Sequence, residues 1–141
     1  MRTAALFTLT LFAAGCGNRP DQKPLTQFLH AIEQPLKTDY EDKIRVFPQE
    51  EWTTRRFALL FRDNVTVIDD FLATSPNLSD RGRSLIVSLR VTCVGEAELF
   101  ETMIAEKRFK MTDVETGIFS RLRAEFQEKL LVIGRRIDGK D

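Results

Sequence analysis

Histidine is almost missing from this chain. His30 is the only one, so mechanisms that lean on imidazole to activate a nucleophile or bind a metal have a single candidate. No Glu-x-x-His pair accompanies it, which removes the usual di-iron arrangement of helical bundles. Its neighbours Gln27 and Gln34 are uncharged, and it reads as a solvated or half-buried structural residue. The two cysteines, Cys16 and Cys93, cannot make a disulfide scaffold or a zinc cluster. The glycines form neither a phosphate-cradling loop nor a Gly-x-Ser-x-Gly elbow. Charge of one sign is missing too. Twenty-one Lys and Arg face twenty-one Asp and Glu without a long one-sign run, which disfavours a nucleic-acid partner. No small-molecule substrate, cofactor or metal is suggested, and an enzyme is not expected.

What is present is a core. Of 141 residues, 43% are hydrophobic and eleven are Phe, enough apolar surface to offset chain ordering in one small domain. The N-terminus reads separately. Arg2 precedes the apolar run Ala4 to Ala14, the length of a secretory leader's hydrophobic region and well short of the roughly 20 residues a membrane span needs. It ends at the turn-forming Gly15-Cys16-Gly17-Asn18.

Ala13-Ala14-Gly15-Cys16 resembles the lipobox of bacterial lipoproteins, with Ala13 standing where Leu is usual. The resemblance covers only the N-terminus. It implies cleavage between Gly15 and Cys16 and lipidation of Cys16, with thioether-linked diacylglycerol and a further acyl chain such as palmitate on the amine. Even two chains anchor stably. Gly17, rather than the Asp that retains such proteins at the inner membrane, implies the periplasmic face of the outer membrane, where the cell has one. An ordinary cleaved leader with an incidental Cys16 is the alternative. The domain reading is therefore a signal peptide over 1–15, a lipidated tether over 16–23 and one helical domain over 24–141. Processing leaves 126 residues with twenty basic and twenty-one acidic groups, since Arg2 is the leader's only charge.

Apolar spacing organises the domain. Leu25, Phe28, Leu29 and Ile32 predict a first helix over about 22–34, stopped by Pro35. Residues 37–47 show no period and read as a loop. Pro48 and the carboxylates after it suit a first turn, and the stripe from Trp52 through Phe57, Phe61, Val65 and Ile68 predicts a helix over about 48–74. A third helix starts at Ser79 or Asp80 and uses Ile86, Leu89, Cys93, Ala97, Phe100 and Ile104. Thr112-Asp113-Val114-Glu115 is a capping box opening a fourth, which closes on Arg135 and Arg136. The fold expected is all-α, a small bundle of about four helices. The alternative is α+β, with a hairpin over 57–68 and a strand over 85–93, because β-branched and aromatic residues alternate there.

Remaining candidates have plain readings. Glu96, Glu98 and Glu101, and the pair Asp69 and Asp70, lack the glycine-bearing loop of a Ca²⁺ site and read as solvated faces. Cys93 lies on the apolar stripe and reads as a free buried thiol, against the alternative of an intermolecular disulfide. Trp52, beside Glu50, Glu51, Arg55 and Arg56, is a candidate partner contact, although a core-edge role is the plainer reading. Mostly by elimination, the function expected is that of a non-enzymatic, membrane-anchored module that binds an envelope protein. Size, address and class resemble the pilotins, small helical lipoproteins that escort secretion-channel subunits. The alternative is a lipoprotein inhibitor or immunity protein directed at a periplasmic toxin or hydrolase.

Overall fold

A computed structural model describes residues 19–141. The leader, the lipobox and Cys16 lie outside the described residues. The helices are α1 (Arg19–Lys37), α2 (Glu41–Ile44), α3 (Trp52–Thr74), α4 (Asp80–Ala105) and α5 (Asp113–Ile137), with a 3-10 turn over Gln49–Glu51. No strand occurs among the described residues, and the chain is all-α.

The β alternatives fail for a reason visible in burial. A strand over 85–93 would put Leu85, Val87, Leu89, Val91 and Cys93 on one face. Leu85, Leu89 and Cys93 are buried, whereas Val87 is 45% and Val91 67% exposed. The helical period governs instead, carrying Ile86, Leu89, Cys93, Ala97 and Phe100 into the core. Residues 57–68 are likewise continuous helix, burying Phe61, Val65 and Ile68. Caps set the boundaries. The Ser79 side chain accepts from the Gly82 amide at the start of α4. Thr112 and Glu115 complete the capping box of α5, with Arg135 and Arg136 in its last turn.

Three boundaries depart from the sequence reading. α1 begins at Arg19 rather than near residue 22, so 19–23 is helix and not tether. The cause is tertiary: Asp21, in the first turn, is fully buried and accepts from the Ser79 amide at 2.8 Å and from the Ser79 hydroxyl. Arg136 adds a 2.9 Å bond from Nε. α1 also runs past Pro35 to Lys37. Pro35 is buried and forfeits only one amide donor near the end of the helix, while the Thr38 hydroxyl satisfies the Gln34 carbonyl at 2.9 Å. Residues 37–47, expected as a loop, contain α2 and bury Tyr40 and Ile44.

The four long helices run up, down, up and down. Arg62 with Glu101 and Asp69 with Arg90 fix α3 antiparallel to α4. Arg123 with Glu96 and Lys129 with Thr92 fix α4 antiparallel to α5. α1 lies in the valley between α3 and α5: Phe28 meets Phe71 at 4.9 Å between ring centroids, and Gln22 donates to the Ile137 carbonyl. One end of the bundle, here proximal, therefore gathers the start of α1, the turn from α3 to α4 and the end of α5. The distal end holds the start of α3 and the connection from α4 to α5.

Two apolar clusters fill the interior. The proximal one joins Leu25, Phe28 and Ile32 to Ile68, Leu89 and Ile133, each worth roughly 1.5–3 kcal/mol on full burial. The distal one packs Phe61, Ala97, Phe100 and Met103, with Phe57 and Phe119 at its edge.

Candidate functional site

α1 is shorter than the valley that holds it. Its 19 residues rise about 28 Å, against about 34 Å for the 23 residues of α3 and about 38 Å for the 25 residues of α5. Carried along the antiparallel register set by Phe28 and Phe71, the last residue of α1 comes level with Arg62 on α3. By the register of Gln22 and Ile137 it comes level with Leu122 on α5. Distal to those points, about 15 Å of the same valley has no helix in it.

An open cavity of about 340 Å³ occupies that stretch. Thr53 and Phe57 of α3 form one wall, and Thr116, Phe119 and Ser120 of α5 the other. Phe100 and Met103 of α4 lie at the floor. The helical period puts Thr53 and Phe57 on the stripe of α3 that continues to Phe71, against which α1 packs. Phe109 and Met111, from the α4–α5 connection, close the distal side. No lining side chain is ionisable.

The floor is preorganised by aromatic packing. Phe100 meets Phe119 edge-on at 5.1 Å between centroids and Phe57 at 5.1 Å, and Phe61 lies 5.7 Å from Phe100 and 5.8 Å from Phe119. Offset and edge-on rings of this kind favour one another beyond simple burial. The connection behind them is equally defined. α4 ends in a Schellman motif, with the Arg108 amide on the Met103 carbonyl at 2.8 Å and the Lys107 amide on the Ile104 carbonyl at 3.0 Å. Arg108 then bridges to Glu106 and to Glu115 of the capping box.

Trp52 does not line the groove. It is half-buried, and its indole Nε1 donates to the Phe47 carbonyl at 2.8 Å, tying the segment after α2 to the start of α3. The Arg55 guanidinium stacks 3.4 Å from the centroid of the Phe47 ring. The candidate partner contact is thus a core-edge residue with its polar handle already engaged. His30 is exposed, as are Asp69 and Glu98; Asp69 pairs with Arg90 and Glu101 with Arg62.

Glu96 corrects the sequence reading. Expected on a solvated face, it is fully buried. Burial pushes its carboxyl upward while Arg123, bonded to Oε2 at 2.8 Å, opposes the shift. Glu96 Oε1 and Asn64 Oδ1 accept no hydrogen bond from the described residues. Beside it Cys93 is a free thiol with no exposed surface. Burial first, then the negative charge of Glu96, pushes that thiol up to about 12. The expected buried thiol is found, and a sulfur so enclosed does not fit an intermolecular disulfide.

Among the described residues no group of three or more His, Cys, Asp or Glu is placed to hold a metal ion, and no helix is long and apolar enough to cross a membrane. The groove escaped the sequence reading because its walls look like ordinary core stripes. The signal available was Phe109 and Met111, two large apolar residues in a connection otherwise built from Glu, Lys, Arg and Thr. No protein-family model, curated protein or solved structure matches the chain, so its function is read from the groove and the N-terminal motif themselves.

Proposed function

We propose that this chain is a lipid-anchored envelope protein that works by binding another protein rather than by catalysis. One observation carries the reading: an apolar groove with no ionisable lining stands open at the distal end of the bundle, opposite the end at which α1 starts at Arg19. Grooves of this chemistry gain their affinity from apolar contact and shape.

The anchor and the groove complement each other. Only Gly17 and Asn18 separate Cys16 from the start of α1 at Arg19, a reach of about 10 Å if extended. A lipid on Cys16 would hold the proximal end near the bilayer and present the groove roughly a bundle length away, toward partners in the adjoining compartment. Tethering also raises the effective concentration of the module near envelope partners. Escort of an envelope subunit, as pilotins do, fits this arrangement.

The experiment is fractionation and mild-detergent copurification from membranes. Wild-type protein is expected in the membrane fraction, labelled by a palmitate analogue and bringing down an envelope subunit. Cys16→Ser is expected to abolish labelling and release the chain from the membrane. Labelling that survives Cys16→Ser would remove the anchor. Recovery of a toxin or hydrolase would instead support the inhibitory role, and recovery of no partner would defeat both roles.

A further inference from the structure

The groove is the vacant end of a slot already built for a helix. α3 and α5 hold α1 between them through Phe71, Val65, Ile68, Leu130 and Ile133, and the same two helices continue past the end of α1 as the groove walls. From the start of α3 at Trp52 to the level of Arg62, the open stretch is about 15 Å long. That is the length of a helix of two to three turns.

We propose that the groove takes a short amphipathic helix of a partner protein, seated on the axis of α1 and completing the four-helix cross-section at the distal end. This rests on the reading that the chain works by binding. Three observations choose this occupant.

The first is continuity: the interface made by α1 shows which shape these walls accept, and it is a helix with apolar residues at i, i+3, i+4 and i+7, namely Leu25, Phe28, Leu29 and Ile32. The second is chemistry. The floor is aromatic and Met-lined, and the polar side chains of the lining are hydroxyls: Thr53, Thr116 and Ser120 at the exposed rim, and Thr54, buried and donating to the Phe109 carbonyl. Selection therefore falls on apolar spacing rather than on charge. The third is reach. Cleaved between Gly15 and Cys16, as the lipobox resemblance implies, the chain would keep three residues ahead of α1, at the opposite end of the bundle, too few to reach the groove along about 28 Å of α1.

Met103 and Met111 line the groove, and the only other methionine is Met1 of the leader. Methyl-labelled methionine therefore gives a processed chain in which both methyl signals report on this site. The test uses the full processed chain carrying Cys16→Ser, secreted behind an exchangeable leader. It is titrated with a stapled helical peptide bearing Leu, Phe, Leu and Ile at the α1 spacing, with a scrambled peptide of the same composition, and with laurate.

The helical peptide is expected to shift both methionine signals to saturation. Ser120→Arg and Thr53→Arg, exposed rim changes that obstruct the mouth without touching the core, are expected to weaken binding by about tenfold or more with unchanged melting. Signals that stay still at millimolar peptide, that answer the scrambled peptide equally, or that move only with laurate would overturn the proposal. So would self-association that the helical peptide does not displace. Copurification of an envelope partner that survives Ser120→Arg would also overturn it while leaving the protein-binding reading intact. Saturable peptide binding by a chain that copurifies with nothing would uphold the groove and defeat the envelope reading instead.

Discussion

Replacing Asp21 by Ala should loosen the proximal end of the bundle more than any surface substitution. The carboxylate is fully buried and joins three elements: α1 through its own backbone, the start of α4 through the Ser79 amide and hydroxyl, and the end of α5 through Arg136. Losing the buried anion beside a mostly buried guanidinium costs about 3–5 kcal/mol in comparable sites. Arg136 keeps Asp141 at 3.8 Å, which places the expected loss near the lower figure. For a domain of this size about 3 kcal/mol corresponds to a fall of roughly 10 °C in Tm.

The sign of the pH dependence follows from the same contacts. Burial raises the Asp21 carboxyl, but the Ser79 hydrogen bonds and Arg136 outweigh it and hold the group below its ordinary value. Its contribution is therefore complete above about pH 4, where the unfolded carboxyl is ionised, and is lost as pH falls through the lowered native value. The stability gap between wild type and Asp21→Ala should narrow on acidification.

Gly82 supplies a second perturbation of the same contact. A Cβ there would lie 2.7 Å from Asp21 Oδ2 and 2.9 Å from its Cγ, so Gly82→Ala should cost about 1–3 kcal/mol in wild type. In the Asp21→Ala background the clash is gone, and alanine inside a helix should gain up to about 1 kcal/mol over glycine. Urea denaturation of the four proteins at pH 7 completes the cycle. Equal cost of Gly82→Ala in both backgrounds, or a loss under about 1 kcal/mol for Asp21→Ala, would refute the assignment of this contact as a latch.

Cys93 should resist Ellman's reagent at pH 8 in the native protein, since burial holds its thiol near 12, and should react at the rate of unfolding; prompt native reaction would contradict its placement. Lys107 occupies the left-handed position of the α4 Schellman motif at φ 55°, where α5 uses Gly139 at φ 74°. Lys107→Gly should therefore raise stability by about 1 kcal/mol, and chemical denaturation showing a loss would refute strain there. Thr112→Ala should cost about 1 kcal/mol at pH 7 by removing the α5 cap. Arg108 hydrogen bonding first, then the Thr112 amide, lowers the Glu115 carboxyl to about 2. The cost of Glu115→Ala should thus persist above about pH 5 and fade toward pH 2, and a pH-independent difference would contradict the carboxylate's part in the capping box.

Local signals carried most of the helical reading. The apolar period, the Ser79 cap, the Thr112 capping box and the basic last turn of α5 lie close together in the chain, so α3, α4 and α5 were legible within a few residues. Ambiguity arose where β-branched residues fitted two periods, as over 85–93, and burial removed it by leaving Val87 and Val91 in solvent. Cys93 was legible because a stripe position is enough to bury a thiol.

Other features depend on partners far away in sequence. Asp21 makes residues 19–23 helical because Ser79 and Arg136 arrive beside it, and nothing near Asp21 announces them. Glu96 looked solvated among its acidic neighbours; Arg123, 27 residues later, accompanies it into the interior. The groove exists only because α1 is shorter than the helices it lies between, a difference that becomes a cavity once α3 and α5 stand side by side. Amino-acid order could specify the four long helices, since caps and apolar periods are short-range properties. Which polar groups are buried, and where the bundle is left open, were set by packing across the chain.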